Sequence, residues 1–458
     1  MQSSLLSNFE KNDKSAWKKQ IARELKGRSY EEVLYNPAGS VVLEPYYVSD
    51  EVTDSKTFKE IQAAQKKAPG WLTVPHLSVE EPSETNALIR RQLERGADAI
   101  WLDCKDLSVV QLDIFKTLHA VRLTDNPVFF STSESPVALL TELTRGASYY
   151  LKGGIVHDPL ADWMRNGNSV NGWFDSIVES LTLTKAMREF NSYKVESHVF
   201  HEAGADVVQE LAFTLASFVT YMDQLTERGV APLLAANRFV FSISIGTDYL
   251  TEIAKLRALR FLYRKITRAY GLPDDLCHAY IHCSTSLLYQ SARSPHTNLL
   301  RYTSEAMSAV VGGCDALTIF PFDYSFAETT EFSERIARNI SLILKNESYM
   351  DQVADPAAGS YFLEVLTQQL ADASWKLFLE IEDMGGLVTA FEQNFIQEEI
   401  KKSWNKTVTD YHNGKVLVGV NKYQVDEPTQ LISPEESVDQ TPHWEYALLK
   451  RKSLDATF

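Results

Sequence analysis

The sequence predicts an α/β protein built on a (β/α)8 TIM barrel, with helical segments before and after it. Eight short runs rich in β-branched and aromatic residues alternate with helical patterns from residue 70 onward. Such alternation is typical of parallel strands joined by right-handed helical crossovers. Eight units in about 280 residues fit the size of a barrel. A doubly wound open sheet is the competing topology, but no Gly-x-Gly-x-x-Gly follows a predicted strand, which disfavours its dinucleotide-binding form.

Residues 1–69 are predicted to form an N-terminal helical arm and an extended linker. Trp17 and Leu25 recur near helical spacing, and the Lys26-Gly27 pair is typical of a helix end. The arm either packs on its own domain or wraps a partner chain. Because aromatic residues are enriched at interface cores, Trp17 is a candidate anchor for a partner.

The barrel is predicted over residues 70–350. Its eight predicted strands occupy residues 71–77, 99–104, 127–132, 148–154, 193–199, 239–245, 279–285 and 316–322. The predicted helices occupy residues 85–96, 108–119, 136–144, 173–190, 206–228, 248–270, 297–311 and 328–349. Active sites of such barrels are built at the carboxyl ends of the strands. Arg293 and Asp315, next to the last two strands, are therefore candidate residues of the barrel mouth.

Residues 351–458 are predicted to form a helical C-terminal extension with a polar tail. Leu366 and Leu370 belong to an apolar pattern with helical spacing that runs from residue 361 to 403. The pattern weakens beyond this point, where prolines punctuate a polar sequence. Trp404, near the end of the helical pattern, is a second candidate interface anchor.

The charge balance excludes several classes of partner. The 458 residues include 45 Lys and Arg against 61 Asp and Glu, for a net charge of −16. Sequence-independent binding to nucleic acid or to an anionic membrane needs a basic face, so neither is expected. The first residues do not resemble a signal peptide, and no apolar run reaches the roughly 18 residues of a membrane span. We expect a cytoplasmic protein.

The four cysteines suggest neither a disulfide framework nor a metal site. Four cysteines in a chain of this length are too few for a disulfide scaffold. Cys277-His278 and His282-Cys283 together resemble a zinc tetrad. On a strand, however, residues 278 and 282 share one face while 277 and 283 share the other, so the four side chains do not converge on one ion.

Three long stretches are more specific than secondary-structure propensity alone would produce: HEAGADVVQELAFTLA (201–216), SAVVGGCDALTIFPFD (308–323) and RIARNISLILKNESYMDQVADPAAGSYFLEVLT (335–367). They resemble the barrel of the methylmalonyl-CoA mutase family, and the resemblance extends from about residue 15 to 428. The resemblance implies a barrel that binds an acyl-CoA thioester along its axis and an adenosylcobalamin cofactor held by a separate, flavodoxin-like C-terminal domain. The radical chemistry would belong to that cofactor.

The chain departs from the catalytic members of this family at three places. The family's cobalt-binding Asp-x-His-x-x-Gly has only a near match at residues 410–414, and no Gly-Gly element follows it. The substrate arm, Arg-Pro-Trp-x-Ile-Arg-Gln-Tyr, is missing from residues 68–86. When the shared Glu-Ala-Gly-Ala is aligned without gaps, Val199 occupies the position of the catalytic His. Valine can neither donate a hydrogen bond nor exchange a proton.

With these three departures, the chain resembles the small, non-catalytic chain of the two-chain mutases. The resemblance implies that this chain binds no cofactor, that adenosylcobalamin lies on a large catalytic partner, and that the complex interconverts (R)-methylmalonyl-CoA and succinyl-CoA. A homodimer is possible when the chain is isolated. His198 and His201, which flank Val199, are then residues of a vestigial mouth. Two alternatives are a split mutase whose cobalamin domain is a separate polypeptide, and a barrel with its own hydrolase or lyase activity.

Overall fold

A computed structural model describes residues 13–39, 41–49, 56–105, 107–132, 135–145, 150–424 and 446–458. The strands are β1 (Tyr35–Ala38), β2 (Val41–Leu43), β3 (Leu72–Thr73), β4 (His76–Ser78), β5 (Ile100–Asp103), β6 (Val128–Ser131), β7 (Gly153–Ile155), β8 (Phe190–Asn191), β9 (Tyr193–Glu196), β10 (Phe239–Ile245), β11 (Ile281–Thr285) and β12 (Ala316–Thr318). The predicted helix start before residue 13 and most of the predicted polar tail lie outside the described residues.

Helices separate most of the consecutive strands, except within the pairs β1–β2, β3–β4 and β8–β9. They are α1 (Lys14–Glu24), α2 (Lys56–Ala64), α3 (Pro82–Glu94), α4 (Val109–Leu112), α5 (Ile114–Thr117), α6 (Pro136–Arg145), α7 (Pro159–Asn166), α8 (Trp173–Thr184), α9 (His198–Glu202), α10 (Val207–Glu227), α11 (Pro232–Ala236), α12 (Tyr249–Ala269), α13 (Pro295–Val311), α14 (Glu331–Asn346), α15 (Tyr361–Asp383), α16 (Leu387–Glu392) and α17 (Phe395–His412). No helix in these ranges is long and apolar enough to cross a membrane.

Ten of the strands form two parallel five-stranded sheets, in the orders β3-β12-β11-β10-β9 and β4-β5-β6-β7-β8, and β1 pairs with β2 in a separate antiparallel sheet. Only two residues separate β3 from β4, and one separates β8 from β9, so consecutive chain segments join the sheets at both edges. The Trp101 amide donates to Pro75 O (2.9 Å), and the Val74 amide donates to Leu317 O (3.0 Å). This α/β arrangement of parallel strands and helices is compatible with a TIM-barrel-like domain.

The alternation of side chains along β10 shows which groups face which layer. Phe239 and Phe241 pack with Phe218 of α10 and Tyr263 of α12, in the apolar layer between sheet and helices. Val240 belongs instead to a smaller cluster on the opposite face of the sheets. Ser242 and Ser244, which share the parity of Val240 along the strand, therefore face that interior too.

The interior cluster takes residues from both sheets. Its buried members are Val74, Ala99, Trp101, Phe129, Val156, Val240 and Ala316. The Trp101 ring lies 4.6 Å from the His282 ring, and the Phe129 ring lies 5.9 Å from it. Large side chains from both sheets therefore pack against one another in the interior.

The C-terminal extension packs on the helices that follow the strands. Leu366 and Leu370 of α15 are fully buried in the main apolar core, as the helical pattern predicts. Arg257 of α12 is also fully buried, and its guanidinium bonds to Glu364 (2.9 Å) and to Asp355. Since breaking such a buried ion pair is costly, these contacts fasten the extension to the rest of the chain.

The arm helix α1 has no buried residue. The ring of Trp17 is half-buried, 5.2 Å from the ring of Tyr46. The ammonium groups of Lys14 and Lys18 pair with Glu44, the latter at 2.6 Å. The contacts of Trp17 and of these lysines therefore connect α1 to the next segment of the arm.

Candidate functional site

Charged groups collect at the carboxyl ends of the strands, beginning with β9. Glu196, the last residue of this strand, is buried. Arg165 of α7 donates to its Oε1 (2.9 Å), and the Lys194 ammonium pairs with its Oε2. Burial by itself would raise the pKa of Glu196, but the two cations hold that pKa well below its usual range. We call Arg165, Lys194 and Glu196 the ionic cluster.

Asp158 lies next to the ionic cluster, at the start of α7. Its Oδ1 accepts hydrogen bonds from the Tyr221 hydroxyl (2.6 Å) and the Ala161 amide (3.0 Å), and its Oδ2 accepts from the Glu196 amide (2.8 Å). Burial and the charge of Glu196 raise the pKa of Asp158 to about 6. Because three donors surround it, Asp158 joins α7 to the end of β9.

His198 follows the ionic cluster at the start of α9. Its Nε2 contacts Ser242 Oγ (2.9 Å), and its Nδ1 contacts Ser244 Oγ (2.5 Å). Burial lowers the pKa of His198 to about 3, so the ring is neutral at physiological pH. A neutral imidazole has one donor and one acceptor. Both are used by hydroxyl groups of β10, and neither is left for a ligand.

His201 belongs to a second buried network, one helical turn further along. Its Nδ1 lies 3.2 Å from Glu210 Oε2, and its Nε2 lies 2.8 Å from Ser286 Oγ. The Lys255 ammonium bonds to the same Glu210 oxygen (3.0 Å) and to Glu252 (2.6 Å). Burial alone would lower the pKa of Lys255, but the two carboxylates raise it. His201 is therefore one member of a structural ion network.

Aromatic rings close over the interior beside these networks. The indole of Trp101 donates from Nε1 to Ser131 Oγ (2.6 Å). The His76 ring packs edge-on against Phe320 (5.6 Å) and Tyr324 (5.7 Å). His76 also lies 3.6 Å from Asp103. Burial alone would raise the pKa of Asp103, but the contact with His76 and the charge and backbone amide of Lys105 together lower it to about 2.

The other predicted mouth residues lie apart from the ionic cluster. Arg293 is half-buried in the loop between β11 and α13. Asp315 lies at the amino end of β12, where it pairs with Arg260 (2.7 Å) and Lys66 (3.5 Å). The two ends of parallel strands lie at opposite edges of a sheet. Asp315, at the amino end of β12, is therefore at the opposite edge from His198, which corrects its predicted place at the carboxyl ends of the strands.

The described ranges contain no group of three or more His, Cys, Asp and Glu residues that could hold a metal ion. His282 Nε2 bonds to Thr318 Oγ1 (2.7 Å) in the interior, whereas Cys283 lies in the outer apolar core. His282 and Cys283 therefore diverge as predicted, whereas Cys277 and His278 precede β11. His412, in the near match to the cobalt-binding motif, is exposed at the end of α17 with its ring 4.9 Å from Phe458. A metal-bound His usually has a second group that fixes its ring, and among the described residues the contact given for the His412 ring is apolar.

Comparison with known proteins identifies the family. Residues 121–451 match the family model of methylmalonyl-CoA mutase. The chain belongs to the methylmalonyl-CoA mutase family. It is 30% identical to a methylmalonyl-CoA mutase small subunit of Porphyromonas gingivalis over 87% of this chain and 67% of that one. It is 32% identical to a methylmalonyl-CoA mutase small subunit of Streptomyces virginiae over 73% and 55%.

Other matches place these values in context. A methylmalonyl-CoA mutase of Cereibacter sphaeroides is 29% identical over 92% of this chain and 66% of that one. The chain thus spans between about half and two thirds of these three relatives. Among solved structures, a dihydropteroate synthase of Xanthomonas albilineans covers 60% of this chain and 93% of its own, with a TM-score of 0.34 and 14% identity. That likeness is too weak to carry an argument.

Val199, which the sequence aligns with the catalytic His of the family, is buried. Its side chain is 2% exposed in the main apolar core. The predicted strand over 193–199 is wrong at its end, because Ser197 adopts a helical conformation and α9 begins at His198. Strand alternation therefore does not decide where His198 and His201 point. Instead, His198 bonds to β10, and His201 bonds to Glu210 and Ser286.

Trp404 packs against the family motif Glu-Ala-Gly-Ala. Gly204 of this motif has φ +100°, and a Cβ built on it would lie 2.7 Å from Trp404 Cε3. Trp404 is half-buried in a cluster with Tyr411 and Leu454. It therefore packs within its own chain, which weakens its prediction as an anchor for a partner.

The ionic cluster was not predicted from the sequence. Lys194 and Glu196 stand two residues apart in a predicted strand, a spacing that places both on one face. A like-facing pair of opposite charges in an otherwise apolar strand was the available signal. Arg165 lies about 30 residues earlier, outside any predicted element, and no spacing connects it to this pair.

Proposed function

We propose that this chain is the small, non-catalytic subunit of a heterodimeric, adenosylcobalamin-dependent methylmalonyl-CoA mutase. The complex would interconvert (R)-methylmalonyl-CoA and succinyl-CoA. The observation that carries this proposal is the filled interior, where Trp101 packs on His282 at 4.6 Å and is only 7% exposed. A mutase barrel needs a channel along its axis for the thioester. The contacts of the His282 ring with the rings of Trp101 and Phe129 support a chain without such a channel.

The carboxyl ends of the strands support the same proposal. A catalytic chain needs a side chain that donates a hydrogen bond to the thioester carbonyl. At the aligned position, the side chain of Val199 is apolar and buried. Both ring nitrogens of His198 and of His201 contact polar groups of this chain. We therefore assign no catalytic residue to this chain.

The large catalytic chain is the proposed partner, and it would hold the adenosylcobalamin. This chain would bind no cofactor, in line with the exposed position of His412. Its role would be to stabilise the large chain, because binding to a native partner raises the stability of that partner by mass action. We place the complex in the cytoplasm. We also propose that the two sheets close into one ring over residues 70–350. The ring has eight strands, because β3 with β4 and β8 with β9 each count as one strand.

The test is turnover of (R)-methylmalonyl-CoA by the purified chain with added adenosylcobalamin, compared with the complex of both chains. We expect no turnover by the isolated chain and turnover by the complex. The complex that carries His198→Gln in the small chain should keep the kcat of the unmodified complex within about twofold, because His198 acts on no substrate atom. Turnover by the isolated chain after addition of a separate cobalamin-binding polypeptide would instead support the split mutase.

A further inference from the structure

Residues 446–458, which we call the C-terminal strap, lie across the carboxyl ends of the strands. The Trp163 indole donates to the Tyr446 hydroxyl (2.7 Å), and the Ala447 amide donates to the Asn394 side chain (2.8 Å). Further along, the Leu454 amide donates to Leu288 O (3.3 Å). The strap therefore connects α7, the start of α17 and the loop after β11, three elements that are distant in sequence.

Two backbone bonds of the strap hold the turns that surround Arg165. The Leu449 amide donates to Met164 O (2.9 Å), the residue before Arg165. The Lys452 amide donates to Glu202 O (2.7 Å). The Glu202 carboxylate in turn lies 4.0 Å from the Arg165 guanidinium. The strap thus fixes both the helix that carries Arg165 and the turn that carries its second carboxylate.

The last residues of the strap anchor it. Leu454 is fully buried in a cluster with Tyr411 and Leu417. Asp455 is also buried, and its two oxygens accept hydrogen bonds from Ser291 Oγ (2.9 Å) and the Ala292 amide (3.0 Å). Hydrogen bonds to a buried carboxylate are stronger than neutral ones. Asp455 is therefore the polar anchor of the strap.

We propose that the C-terminal strap is a conformational clamp that keeps the Arg165 guanidinium paired with Glu196. Through this pairing, it keeps α7 and α9 in place at the carboxyl ends of the strands. With the strap in place, Lys194 and Glu196 are buried and Arg165 is half-buried. When the strap leaves, the turns at Met164 and Glu202 lose their shared support. The Arg165 guanidinium, whose side chain is 30% exposed, is the cation of the cluster nearest to solvent, so it would be the first to move away from Glu196. This inference concerns the chain alone and does not depend on the proposed function.

Hydrogen–deuterium exchange of the full chain tests the clamp. Asp455→Ala removes the polar anchor, whereas Lys452→Ala is a matched control, because the exposed Lys452 side chain is lost while its amide is kept. In Asp455→Ala we expect exchange to accelerate by about tenfold in residues 197–205 and 286–292, as local opening becomes easier. Exchange in α15 and exchange in Lys452→Ala should match the unmodified chain.

Two results would overturn the clamp. One is unchanged exchange in residues 197–205 of Asp455→Ala. The other is equal acceleration of those residues and of α15, since a uniform change reports global stability only. If Asp455→Ala does not fold, Asp455→Asn keeps one acceptor oxygen and is measured instead. A smaller acceleration confined to the same two segments would support the clamp, and no acceleration there would reject it.

Discussion

Gly204→Ala is the substitution whose cost follows most directly from the structure. Gly204 ends the turn after α9 with φ +100° and faces the indole of Trp404. An added Cβ would lie 2.7 Å from Trp404 Cε3 and 3.0 Å from Trp404 Cβ. The backbone conformation costs an alanine about 1–2 kcal/mol. The overlap with a packed ring adds about 1–3 kcal/mol.

Gly414→Ala separates these two contributions. Gly414 has φ +111°, and a Cβ there would have no heavy atom within 4 Å. It should therefore lose only about 1–2 kcal/mol of unfolding free energy, the cost of the backbone conformation alone. Gly204→Ala should lose about 2–5 kcal/mol, the sum of both contributions. Combining Gly204→Ala with Trp404→Ala should recover the steric part as a coupling energy of about 1–3 kcal/mol.

The assay is urea unfolding followed by tryptophan fluorescence and circular dichroism, with a double-mutant cycle at positions 204 and 404. The m-value should stay constant across the variants. Equal losses in Gly204→Ala and Gly414→Ala would refute the packing of Trp404 on the Glu-Ala-Gly-Ala turn. So would a coupling energy near zero.

Three further predictions concern buried residues in the strands or directly after them. Burial lowers the pKa of His157 from 6.5 to about 4, so the unfolded chain takes up a proton before the folded chain does as the pH falls. The neutral, buried His157 therefore supports the folded state fully above pH 6.5 and less at lower pH. Between pH 6.5 and pH 5, the free energy of unfolding measured in urea should fall by about 2 kcal/mol less in His157→Gln than in the exposed control His119→Gln. Glu196→Gln leaves two cations unbalanced and should cost about 3–5 kcal/mol, against less than about 0.5 for the exposed Glu179→Gln. Trp101→Ala should cost about 3–5 kcal/mol, read from the same unfolding curves.

Much of the fold was predictable because the strands are short apolar runs between helical patterns. The predicted strand over 239–245 coincides with β10, in which every residue is buried. The predicted strand over 193–199 continues the same alternation past its true end. There, Ser197 turns the chain and its hydroxyl donates to Glu210 (2.6 Å), a contact that depends on a helix packed against it. Periodicity does not report such a tertiary bond.

The site was less predictable than the fold, since its parts are distant in sequence. The sequence singled out His198 and His201, but it does not show their partners, which lie on β10, on α10 and after β11. Trp404 looked like a free anchor, because nothing local shows that it covers Gly204, about 200 residues away. Asp315 was misplaced because it precedes its strand rather than follows it.

Under the proposed function, side chains of this protein fill the space that an acyl-CoA would need. Isothermal titration of the isolated chain with succinyl-CoA tests this, with the complex of both chains as the positive control. We expect saturable heat from the complex and none from the isolated chain up to about 1 mM ligand, a limit of about −4 kcal/mol in binding free energy. Stoichiometric binding to the isolated chain, weakened by Trp101→Ala or His198→Gln, would contradict the account.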